Sequence, residues 1–136
     1  MGSTSKYIIQ DLKGQIVEDG KVIFDGFRVD HIKLGEPCRI LYSAVTEPHV
    51  LVDKPHVHDF AHFLCLFGSN PKDLSDFDAE VEMHLDGEKN IIDVPSIIHV
   101  PKGLPHCPLN FKRIGSPIMF LEIMLTEDYE RKEPDK

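Results

Sequence analysis

Apolar and polar positions along this chain alternate in short stretches. Between 79 and 85, Ala79, Val81, Met83 and Leu85 interleave with Glu80, Glu82 and His84. A period of two puts the apolar set on one face of a half-buried strand. Residues 118–125 are apolar on both faces except at Glu122, the pattern of a central strand. The stretches 38–45 and 60–67 are similar in length and apolar content. No window of helical length carries a 3.6-residue apolar stripe. Ten prolines and nine glycines cut the chain into short segments, and the pairs Asp19-Gly20, Asp25-Gly26 and Asp86-Gly87 are tight-turn signals. Residues 69–78, polar with Pro71 and three Asp, predict a surface loop with room for one helical turn. From 126 onward the chain is almost wholly charged and reads as a frayed tail or short helix. Many short strands joined by Gly/Pro turns predict an all-β sandwich, jelly roll or barrel.

Composition narrows this picture. A chain of 136 residues that is 41% hydrophobic is long enough for one core and too short for two of ordinary size. No repeat of solenoid length interrupts it. Fifteen Lys and Arg against 23 Asp and Glu give a formal charge of −8, and no Lys/Arg cluster exceeds two residues. That balance argues against nucleic acid and anionic membranes as partners. Cys38, Cys65 and Cys107 are far apart and form no Cys-x-x-Cys pair, which suits a reducing compartment. Without an apolar leader or a run long enough to cross a bilayer, a soluble cytoplasmic protein is expected.

Histidine is the unusual component. Pro55-His56-Val57-His58-Asp59-Phe60-Ala61-His62 sets three imidazoles at spacings of two and four. In an extended chain His56 and His58 project from one face, able to meet a single ion about 2 Å from each ring nitrogen. His62 keeps that parity if the strand resumes after Asp59. The alternative is a histidine-rich surface loop. Further on, Pro101 and Gly103 suit a tight turn that swings His106 inward at the start of another strand.

The pattern Pro-x-Gly-x-x-His-x-x-x-Asn, met by Pro101, Gly103, His106 and Asn110, resembles the second motif of the cupin superfamily, and His56-x-His58 with a ligand four residues on resembles the first. The similarity extends over residues 20–125. It implies a single-domain cupin-type jelly-roll β-barrel there, preceded by a segment 1–19 with an edge strand and followed by the charged tail 126–136. The resemblance is incomplete. Val50 and Pro95 stand where the motifs open with Gly, and His62 replaces the usual Glu of the first motif. The chain therefore resembles the four-histidine variant of the cupin site, which implies the ligands His56, His58, His62 and His106 and a homodimer. Four neutral imidazoles leave a divalent ion its full charge, so it binds an anionic oxygen ligand more strongly than a carboxylate-ligated ion does. Imidazole suits Fe, Mn, Ni, Cu and Zn and disfavours Mg and Ca.

Other residues frame this centre. Glu122, alone among apolar neighbours, is a candidate acid/base, or else an ion-paired strand residue. Phe60, Leu64 and Leu66 share the parity of His62 and are expected to line an apolar substrate pocket or to fill the core. Cys107 should point away from His106 as a core thiol, and of Arg39 and Tyr42 at most one can face the pocket. The functional expectation is an enzyme acting on a small anionic oxygen-containing molecule, with dioxygenase-type cleavage leading. A redox-neutral isomerase, decarboxylase or lyase, and a non-catalytic metal- and ligand-binding protein, are the alternatives.

Overall fold

The computed structural model describes residues 4–128. After a 3-10 turn at Ser5–Tyr7, the elements are β1 (Lys13–Glu18), β2 (Lys21–Val29), α1 (His31–Leu34), β3 (Arg39–Val45), β4 (His49–Val52), β5 (His62–Phe67), β6 (Ala79–Leu85), β7 (Glu88–Ile92), β8 (Ser96–Val100), β9 (His106–Ile114) and β10 (Ile118–Met124). They form two antiparallel sheets, ordered β1-β2-β3-β10-β5-β8 and β4-β9-β6-β7. From β3 to β10 the chain repeatedly crosses between sheets, the winding of a jelly roll. The all-β expectation holds, and 79–85 is a strand with Ala79, Val81 and Met83 buried and Leu85 partly so.

The alternation seen in the sequence builds the core. Leu64, Leu66, Ile118 and Phe120 from the larger sheet meet Val81, Met83, Leu109 and Phe111 from the smaller one. Phe111 and Phe120 touch edge to face across the gap, with ring centroids 5.8 Å apart. This packing closes one end of the barrel. In register, Phe120 lies beside Leu66, Glu122 beside Leu64 and Met124 beside His62, so the polar residues follow the apolar ones toward the open end. β1 stands at the edge of the larger sheet. The charged tail, beyond Asp128, lies outside the described residues.

Two of the three Asp-Gly pairs are turns. Asp19-Gly20 and Asp86-Gly87 join β1 to β2 and β6 to β7 with positive φ at both residues (51° and 76°, 50° and 78°), the geometry of a two-residue hairpin turn. Asp25-Gly26 is no turn but lies inside β2. Glycine is needed there for closeness, since a Cβ at Gly26 would collide with the Tyr42 carbonyl oxygen and crowd Ser43 on β3. Gly26→Ala is expected to lower stability by about 1–3 kcal/mol through forced strand displacement. Urea unfolding measures this as a lower midpoint at unchanged slope.

Candidate metal centre

Three short segments bring four imidazoles together. His56 and His58 sit in the loop between β4 and β5, His62 opens β5 and His106 opens β9. The loop is pinned to β9 by a pair of backbone hydrogen bonds, His56 N–H to His106 O and His106 N–H to His56 O, both 3.1 Å. All four rings are buried, with exposures between 2% and 8%. The His106 ring lies 4.3 Å from that of His56 and 5.0 Å from those of His58 and His62, centroid to centroid.

The hydrogen bonds orient the rings. His106 Nδ1–H donates to the Leu104 carbonyl at 2.9 Å and His56 Nδ1–H to that of Lys54 at 3.4 Å, which directs each Nε2 lone pair to the centre. His56 Nε2 and His58 Nε2 lie 3.1 Å apart. Two nitrogens bound at right angles to one ion, each about 2.1 Å from it, are separated by about 3 Å. Nitrogen donors of His58, His62 and His106 lie within 4.8 Å of one another. His62 supplies the most direct test of fit, because both its ring nitrogens are buried without a hydrogen bond among the described residues. Burial, then the neighbouring imidazoles of His106, His58, His56 and His99, lower its pKa from 6.5 to about 3, so it stays a neutral donor. A buried imidazole with both nitrogens unsatisfied is explained by an ion that takes one lone pair. The histidine-rich site suits a metal ion.

Beside the imidazoles opens a cavity of about 770 Å³ that reaches between the sheets. Glu122 faces it, as do Phe120 and Met124 of the same strand, which settles the parity that periodicity left open. Leu64 is on its wall. Phe60 and Leu66 take the other expected role and fill the core. Phe60 precedes β5, so strand parity does not extend to it, and it packs with Leu41 and Met124 under the His58 ring, 4.6 Å away. Leu66, fully buried, belongs to the closed end. Arg39 lines the cavity and Tyr42 does not. Arg28 and Ser43 also line it, and no feature of the sequence singled them out.

Cys107 corrects the parity argument. The pairing of β6 with β9 slips between Met83 and Leu85, and Cys107 has a φ of +81°. This bulge lets two successive residues turn inward, so Cys107 lies on the cavity wall with His106 instead of opposite it. Of the other four histidines, His49 lies tilted against Phe111 at the cavity edge, His99 stacks on Phe63 and His84 meets Glu82 at 3.4 Å, while His31 is in α1, away from the centre.

No protein-family model and no curated protein matches the chain. Solved structures do. The polyketide cyclase RemF from Streptomyces resistomycificus superposes with a TM-score of 0.59 at 18% identity, over 93% of this chain and 82% of its own. Iron(II) HppE gives 0.57 at 14% identity, over 86% of this chain and 59% of HppE. A cupin from Bacteroides fragilis gives 0.50 at 16% identity, over 89% and 92%. The chain has the cupin fold. Identities this low carry the fold alone, and the chemistry of this chain rests on its own residues. Among those described, no helix is long and apolar enough to cross a membrane.

Proposed function

We propose that this cupin holds one divalent transition metal (Fe, Mn, Ni, Cu or Zn) on His56, His58, His62 and His106 and acts on a small anionic oxygen-containing molecule. The observation that carries the reading is His62, an imidazole buried with both nitrogens unsatisfied at the wall of a large cavity. A redox-capable ion held there supplies Lewis acidity and, with dioxygen, oxidative cleavage, the leading reaction. The chain's own groups do the rest. Arg28 and Arg39, which line the cavity together with the carboxylates Glu18, Asp25 and Glu122, are the groups that would meet the anionic part of the substrate. Leu41, Leu64 and Phe120 exclude water from the apolar remainder. Glu122, whose register partner Leu64 lies two residues along β5 from His62, would take a proton from the bound molecule.

Oxygen uptake with a panel of small diketones, enediols and hydroxy acids tests the reading. Substrate-dependent uptake is expected to fall about 10²–10⁴-fold in Glu122→Gln at unchanged metal content. Turnover that persists without oxygen would replace cleavage by a redox-neutral lyase or isomerase using the same site. Saturable binding without product would leave a non-catalytic ligand-binding protein.

A homodimer is also inferred. The outer face of the larger sheet carries Tyr42, Leu121, Phe63 and Ile97 on neighbouring strands, with Phe27 stacked on Tyr42 at 5.9 Å. A second copy would cover this apolar face. Light scattering is expected to give twice 15.5 kDa, and Phe63→Asp the monomer mass. The three thiols without a disulfide among the described residues support a cytoplasmic location, and the charge of −8 disfavours nucleic acid.

A further inference from the structure

The four imidazoles are not the full set of donors at this centre. Cys107 Sγ and ring nitrogens of His56 and His106 lie within 4.8 Å of one another, all three residues buried. A second triad, His58, His62 and His106, meets the same criterion. The two share His106, so they are adjacent faces of one site, and the unsatisfied His62 ring stands 5.0 Å from the shared ring. One face offers three nitrogens and the other two nitrogens and a sulfur.

We propose that Cys107 is a thiolate donor in this centre, recruited by zinc and copper(I), which the four-imidazole set alone would bind without sulfur. The inference rests on reading the imidazoles as a metal site. Soft thiolate favours these ions, whereas imidazole accepts iron and nickel equally well. When such an ion enters, a sulfur–metal bond forms and the thiol proton leaves to solvent. The metal is neither oxidised nor reduced. With nitrogen-preferring ions Cys107 stays a protonated wall residue beside the substrate. The same protein would thus hold zinc in a sulfur-containing, closed site and iron in an open one.

Cobalt(II), a spectroscopic stand-in for zinc, tests this on the full chain stripped of metal by chelator. Stoichiometric cobalt binding with a thiolate-to-cobalt charge-transfer band in the near ultraviolet is expected. Cys107→Ser should lose that band, keep the visible ligand-field bands, and release one proton fewer per ion bound. Cys65→Ser and Cys38→Ser should leave the band intact. Cobalt bound with ligand-field bands but no charge-transfer band would overturn the role of Cys107 and leave the imidazole centre standing. Failure of wild type to bind cobalt at all would overturn both.

Discussion

The His106→Ala protein is expected to emerge from purification without metal, while the unaltered chain, prepared without an affinity tag, carries close to one transition-metal ion. His106 is the imidazole common to both donor triads, so its loss removes a ligand from every arrangement the site offers. Disturbing only an outer partner of a ligand weakens metal binding by about 10–100-fold, so removal of the ligand itself should exceed 100-fold. The fold should survive, because His106 joins the β4–β5 loop to β9 through its backbone, N–H and C=O both bonded to His56, and alanine keeps those bonds. Elemental analysis with competitive titration measures the change, and circular dichroism checks that strand content is retained. The double variant His56→Ala/His106→Ala should be empty. His84→Ala and His99→Ala, whose rings lie against Glu82 and Phe63, should keep the ion. Metal retained undiminished in the double variant would refute the assignment of the site.

How far the sequence revealed this site follows from what alternation encodes. The spacing of His56, His58 and His62 was legible because extended segments project every second residue to one side, and the structure brings all three rings together. Glu122 was legible as an anomaly, a carboxylate in an apolar strand, but its facing was not. A strand apolar on both faces looks the same from either side, and only the register with β5 and β3 decides it. Cys107 is the core thiol expected of it, but its side was misread because a bulge inserts a residue without leaving a mark in the pattern of apolar positions. Phe60 fills the core, the second of its expected roles, since parity counted back from His62 runs past the first residue of β5. Asp25-Gly26 has the composition of a turn and the position of a strand, because the close approach of Tyr42 also demands glycine. Local chemistry was thus readable wherever the backbone stays regular, and was lost where a bulge, a strand end or a tertiary contact intervenes.

His62→Leu is expected to make the metal-free protein more stable and to weaken metal binding, since only the donor face of His56, His106 and Cys107 is left intact. Both nitrogens of His62 are buried without hydrogen bonds among the described residues, and an unsatisfied buried polar group costs about 1–3 kcal/mol. Leucine, of similar volume, removes that penalty and packs beside Val100 and Met124, its register partners. The gain should widen in acid. With a folded pKa of about 3 against 6.5 for the free ring, the unfolded chain binds the extra proton between these values. The ring therefore adds no proton-linked cost above pH 6.5, and it increasingly destabilises the folded state as pH falls toward 3. Leucine has no such dependence, so urea midpoints of the two metal-free proteins should diverge progressively below pH 6.5. Metal works against this difference. At an ion concentration 100 times its dissociation constant, the unaltered chain gains about 2.7 kcal/mol, and His62→Leu, which lacks one ligand, gains less. Equal or lower stability of the metal-free variant across this pH range would mean that His62 is satisfied without an ion, and the strongest argument for a metal at this site would fall with it. A less stable metal-free protein than its leucine variant is what a site kept for binding should show, since the ion, and not the fold, completes the coordination of that ring.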